Sequence, residues 1–104
     1  MNADIEHIAA FGQLVVSPDY RDAVIARLIA AQDEARNEPG CLSYTVMADL
    51  SDPNVIHIVE QWQSLEHVRA HIANFHSKSL VAWLQSHGLQ TFAIRHSRAT
   101  PTII

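Results

Sequence analysis

An α+β sandwich, with four antiparallel strands and helices packed against one side of them, is the fold this sequence predicts. Three observations carry that prediction. One stretch, Leu42 to Leu50, alternates apolar and polar residues, and a second strand-like stretch, Val55 to Trp62, follows it directly after Ser51-Asp52-Pro53-Asn54, which is turn chemistry. Two other regions repeat apolar residues at helical spacing. Their order along the chain is strand, helix, strand, strand, helical pair, strand, the split βαβ arrangement of a ferredoxin-like sandwich. At 104 residues the chain is read as one domain, residues 1–104.

From Ile5 to Val16 the chain is rich in apolar and β-branched residues, and Ser17-Pro18-Asp19 stops it, so it reads as the first strand. Asp19 suits the N-cap of a helix in which Tyr20, Val24, Leu28, Ala31 and Ala35 share one face. Glu38-Pro39-Gly40 ends that helix, because proline resists helical continuation and glycine accepts the positive φ of a helix exit. Leu42, Tyr44, Val46, Ala48 and Leu50 alternate with polar neighbours as a second strand, and Val55 to Trp62 follows the turn as a third, closing an antiparallel hairpin. Ser64 caps a second helix whose stripe is Leu65, Val68, Ile72 and Phe75. Ser77 to Ser86 continues as a shorter helix through Leu80, Trp83 and Leu84, with His87 after it and Gly88 as its exit. Leu89 to Ser97 is the last strand.

The first and third strands carry apolar residues on both faces, so helices on one side leave an apolar sheet face open. A second copy is the cover with least cost for so short a chain, which predicts a homodimer in the form of an α+β barrel. The terminal Ile103-Ile104 pair is expected to tuck against that partner.

Composition narrows function by exclusion. Seven Lys and Arg residues against eleven Asp and Glu give a net charge of −4 with no basic cluster, so nucleic acid is not an expected partner. No apolar run approaches the roughly 20 residues of a membrane span, and the acidic start lacks the pattern of a secretory signal, so no membrane partner and a cytoplasmic location are expected. The lone Cys41 rules out dithiol chemistry within the chain and is read as a small hydrophobe. Seven histidines are the one excess, and imidazole exchanges protons near neutral pH.

On a helical wheel His71 and His76 fall at the two rims of the second helix's apolar stripe, whereas His67 falls towards solvent. His76 and then His71 are therefore the candidate catalytic bases, with a half-buried structural imidazole as the competing reading. His67 and His71 have the i, i+4 spacing of a zinc helix but no evident third ligand, so no metal is expected. Glu60 and Trp62 lie two apart and share one face of the third strand, where they would build either the fold or the dimer contact. An apolar pocket between sheet and helices would take a small aromatic ligand, with Trp62, Met47, Phe75, Trp83 and Phe92 as candidate substrate-binding residues, although for each of them core packing is the first reading.

Glu38-Pro39-Gly40-Cys41, then Glu60-Gln61-Trp62, then Ala70-His71 with His76 five residues on resemble the antibiotic biosynthesis monooxygenase family. The resemblance extends over essentially the whole chain. It implies a small dimeric α+β barrel whose relatives include oxygenases acting on quinols or polyketide aromatics without metal or flavin, haem-degrading enzymes, sugar-phosphate isomerases and proteins without assigned activity. Haem-degrading members carry an asparagine on the first strand and a tryptophan on the second helix, where this chain has approximately Gly12 and His71, so haem turnover is not expected. The function expected is oxidation of a small phenol, hydroquinone or polyketide-type aromatic by O2, as an oxidoreductase without a cofactor. The alternative is a non-catalytic small-molecule-binding dimer, or an isomerase of the same fold.

Overall fold

The computed structural model describes residues 6–104. Its elements are β1 (His7–Val16), a single 3-10 turn (Pro18–Tyr20), α1 (Arg21–Arg36), β2 (Cys41–Ala48), β3 (Val55–Trp62), α2 (Leu65–Ala73), α3 (Phe75–Gln85) and β4 (Leu89–Ala99). The strands form one antiparallel sheet in the order β2-β3-β1-β4, so the fold is the α+β sandwich that the element order predicts. Ile5, assigned to the first strand from the sequence, and the chain start lie outside the described residues.

Even-numbered strand residues face the helices: Ile8 pairs with Trp62, Ala10 with Glu60, Gly12 with Ile58 and Leu14 with Ile56. Leu14, Ile56 and Trp62 are fully buried there against Val24 and Leu28 of α1, Val68 of α2 and Leu84 of α3. The odd-numbered residues make the other face, which no helix covers: Phe11 is 59% and Met47 41% exposed there, beside the polar Gln13, His57, Gln61 and Arg95. α1 also guards a sheet edge. Gln32 accepts from the Val46 amide at 2.9 Å, and Arg36 Nε donates to the Tyr44 carbonyl at 2.9 Å, so outward-facing groups of edge strand β2 are satisfied.

Four local expectations are corrected. Asp19 lies inside the 3-10 turn and caps nothing; α1 starts at Arg21 after Tyr20, because Pro18 fixes the tighter turn first. Leu50 falls past the end of β2 and is fully exposed, since the alternation runs on into the turn built by the Asp49 carboxylate, which accepts from the Ser51 and Asp52 amides. β4 continues two residues beyond Ser97 to Ala99 along its β1 partner. The stripe Leu65, Val68, Ile72, Phe75 does not persist as one buried face: Ile72 is 53% and Phe75 79% exposed.

Asn74 explains the last of these. Its backbone is extended (ψ 161°), and its side chain accepts from the Ser77 amide at 2.8 Å, so it ends α2 and caps α3. A wheel drawn through both helices loses its phase at that residue. The Glu38-Pro39-Gly40 exit is similarly specific. Gly40 has φ +79°, and a Cβ there would come within 2.1 Å of the His67 ring, which is packed over the loop and not solvated as the wheel implies. The Gly40 carbonyl accepts from the Gln63 amide at 2.8 Å, tying the loop to the end of β3.

Gly40→Ala is expected to destabilise the fold by more than about 1 kcal/mol from the backbone alone, or about 4–8 °C in Tm, with the ring clash added. His67→Ala in the same chain should recover the clash but not the backbone part. Thermal unfolding of the single and double variants checks both.

Candidate functional site

A cavity of about 520 Å³ lies between the helices and the sheet, within the range of small-molecule sites. Leu28, Ile58, Leu84, Phe92 and Ile94 give it apolar walls. One end collects acid–base groups. Glu38 comes from the loop after α1, Tyr44 from β2, Glu60 from β3 and His71 from α2, and all four line the cavity.

His71 is the centre of this cluster. Its Nδ1 lies 2.6 Å from Glu38 Oε2 and its Nε2 3.8 Å from Glu60 Oε1, and only 16% of its side chain is exposed. In a contact that short to a carboxylate Nδ1 is the donor, which leaves Nε2 outside that hydrogen bond. Glu60, 3% exposed, accepts from Trp62 Nε1 at 2.9 Å, and Asn74 Nδ2 donates to the other oxygen of Glu38. The indole of Trp62 lies along the imidazole with ring centres 4.7 Å apart, and Tyr44 approaches edge-on at 5.9 Å. Strand alternation delivers Glu60 and Trp62 to the same interior face, and the exit through Pro39 and Gly40 turns Glu38 back towards α2.

Burial, with the Glu60 and Glu38 carboxylates adding to it, pushes the Tyr44 phenol well above its ordinary value. Burial, followed by Glu38 and Glu60, also raises the Cys41 thiol, which therefore stays protonated and unreactive at neutral pH.

The other candidates are dispersed. His76 lines the cavity at its rim, with 66% of its side chain exposed and Nδ1 3.2 Å from Glu34. Phe92 is a cavity wall. Trp62 is fully buried behind the cluster and supports Glu60 and His71 from there. Met47 is on the open sheet face, one register position from Val46 and pairing with His57. Phe75 projects from the start of α3 into solvent. Trp83 stacks on His87 at 4.2 Å with Arg27 5.4 Å from its ring, outside the cavity. His67 and His71 diverge, the first to Ser64 and the second to Glu38, and among the described residues no three His, Cys, Asp or Glu side chains gather as a metal site. The sequence shows Glu38 as part of a helix stop and of the Glu-Pro-Gly motif, with no sign of its contact with His71, and does not single out Tyr44. The i, i+2 spacing of Glu60 and Trp62 assigns them to one face, and the pairing of β3 with β1 makes that face the interior one.

A two-layer α+β fold with an acid–base cluster at the end of an apolar cavity defines a class of small-molecule-binding domains. The sequence profile of the antibiotic biosynthesis monooxygenase family matches residues 7–93, and the chain belongs to that family. A candidate antibiotic biosynthesis monooxygenase from Deinococcus radiodurans is 26% identical, superposes with a TM-score of 0.90, and is covered over 93% of this chain and 96% of its own. A second antibiotic biosynthesis monooxygenase structure is 26% identical with a TM-score of 0.82, over 90% and 99% of the two chains. A conserved protein of unknown function from Bacteroides thetaiotaomicron, described as a possible oxidoreductase, is 21% identical with a TM-score of 0.83, over 92% and 99%. No curated protein is significantly similar to the chain.

The raised Tyr44 phenol has a stability consequence. The unfolded chain releases its tyrosine proton near pH 10, before the folded chain does, so the contribution of Tyr44 is complete below about pH 10 and is lost as pH rises beyond it. Urea unfolding midpoints should therefore fall above that pH in the wild type and fall less in Tyr44→Phe.

Proposed function

We propose that the protein oxidises a small phenol or hydroquinone with O2, and that His71 is the base. The observation that carries this is an imidazole held between two carboxylates at the inner end of an apolar cavity. A phenol bound against the apolar walls would give its proton to Nε2. The imidazolium formed is stabilised by Glu38 and Glu60, which is how a flanking carboxylate makes a histidine an effective base. For a phenol with a free para carbon, the anion passes one electron to O2, and the resulting radical and superoxide combine as a hydroperoxide at that carbon. Loss of water then leaves the quinone, so one oxygen atom ends in the product and the other in water. The chain's part is to bind the ring, hold the proton and keep water out.

His71 has a stronger case than His76 on enclosure. The His76 contact with Glu34 is a surface pair between exposed side chains, and such pairs hold a ring only loosely. Membership of the monooxygenase family and the apolar walls support the same chemistry.

Oxygen uptake with a panel of naphthols and hydroquinones, without added flavin, nicotinamide or metal, should detect turnover. His71→Asn should lower the rate by about 10²–10⁴, the worth of a positioned base, and His76→Ala should change it little, both at equal folded fraction. A reversed order would transfer the role to His76. No uptake across the panel would remove the oxygenase reading in favour of binding alone.

We also propose that two copies pair through the open sheet face, because Phe11 and Met47 stand exposed on it beside Val15 and Val59. Sedimentation at micromolar concentration should give twice the chain mass, and a single species near 11.6 kDa would remove the proposal. Phe11→Asp should shift the wild type towards that smaller species. Deleting Ile103 and Ile104, which are fully exposed, should weaken the pair.

A further inference from the structure

We propose that the hydroxyl of Tyr44 receives the ligand at the inner end of the cavity, and that it selects an uncharged ring oxygen: a ketone or quinone carbonyl, or an un-ionised phenol. The inference deepens the functional reading above, since it takes the cavity as the site of a small aromatic.

Tyr44 is 4% exposed, and it lines the cavity. Its backbone carbonyl is occupied by Arg36, yet no hydrogen bond among the described residues uses its hydroxyl. None of their fully enclosed side-chain polar atoms lacks a partner, so this hydroxyl is not fully enclosed, and the cavity is the open space that Tyr44 lines. A tyrosine hydroxyl held by a buried ring and left without a protein partner is a group whose partner comes from outside. The opposite case stands beside it: the Trp62 N–H, equally deep, is committed to Glu60 at 2.9 Å.

The surroundings decide what that partner is. Tyr44 faces Glu60 across the β2–β3 pairing, and Glu38 lies beyond the His71 ring. Both carboxylates oppose ionisation of the phenol, so Tyr44 keeps its proton and acts as a donor across the neutral range. They oppose an anionic ligand there for the same reason. Against two carboxylates the inner end offers one imidazole, so a ligand carboxylate meets net repulsion, while a neutral carbonyl meets a donor that has lost no other partner. The same field means that a bound phenol ionises only as its proton passes to His71, which leaves the total charge of the cluster and ligand unchanged.

The test is equilibrium binding of 1-tetralone, a neutral bicyclic ketone that is not a phenol, beside 1-naphthoate and the oxygen-free tetralin. Tetralone should bind the wild type about 5-fold or more tightly than tetralin, the worth of one neutral hydrogen bond, and Tyr44→Phe should erase that difference. Naphthoate should bind more weakly than tetralone. The chain has two tyrosines, Tyr20 and Tyr44, so fluorotyrosine labelling gives two fluorine resonances that Tyr20→Phe assigns. Tetralone should move the Tyr44 resonance and leave that of Tyr20 in place, a readout on the intact wild-type fold. Equal tetralone affinity in wild type and Tyr44→Phe, an unmoved Tyr44 resonance, absence of tetralone binding, or naphthoate binding as tightly would each overturn the proposal. Tyr44-dependent tetralone binding without phenol oxidation would sustain it while removing the oxygenase chemistry. Phenol oxidation with tetralone binding indifferent to Tyr44 would do the reverse.

Discussion

The contact on which the site depends is that of the Glu38 carboxylate with His71 Nδ1 at 2.6 Å. Glu38 stands just past the C-terminus of α1, His71 is on the last turn of α2, and the second oxygen of Glu38 accepts from Asn74, which also caps α3. One carboxylate thus joins three helices at a point where two of them end and the third begins. With Nδ1 committed to Glu38, the ring is held against Trp62 and its Nε2 lies 3.8 Å from Glu60, too far for a hydrogen bond. The cavity's acid–base end is consequently a by-product of how the helices are fastened together. Its geometry is as rigid as that junction.

Burying three ionisable groups in an apolar layer is unfavourable unless each is paired, and replacement of such clusters by hydrophobic residues often stabilises a fold. Here the pairing is complete among the described residues: Glu60 has Trp62, Glu38 has Asn74 and His71, and His71 stands between the two acids. A purely structural core would be simpler with leucines in those places. An imidazole in contact with carboxylates beside an apolar cavity is a place where a proton can be handed to or from a ligand, and the functional proposal is built on that geometry.

The strands were legible from their composition and the turn signals around them, and β3 shows the period of two most plainly, alternating buried and partly exposed residues along its whole length. Glu60 and Trp62 could therefore be assigned to a common face, though which face needed the pairing of β3 with β1. The helices were less legible. Asn74 breaks the phase between α2 and α3, so Ile72 and Phe75, apolar by type, are exposed while His71, polar by type, is enclosed. A wheel cannot register a cap inside the segment on which it is drawn. Glu38 and Tyr44 were harder still, because their meaning lies in contacts with residues 33 and 16 positions away in sequence, His71 and Glu60.

One register constraint governs both the cavity and the open face. Along β1, β3 and β4 the even-numbered residues, Ile58, Glu60, Phe92 and Ile94 among them, face the helices, and the odd-numbered ones, Phe11 and Val59 among them, face outward. A slip of one residue would exchange the two sets, turning Glu60 outward and Val59 into the place facing His71. The irregularities in the pairing fall at Val15/Val16 and Cys41/Ser43, near strand ends, so the regular ladder between them is undisturbed where Glu60 stands. Because the two faces use alternate positions, a substitution that alters the cavity walls leaves the outward surface unchanged, and the reverse also holds. The same two central strands can in this way carry a cavity wall and an outer surface that vary independently.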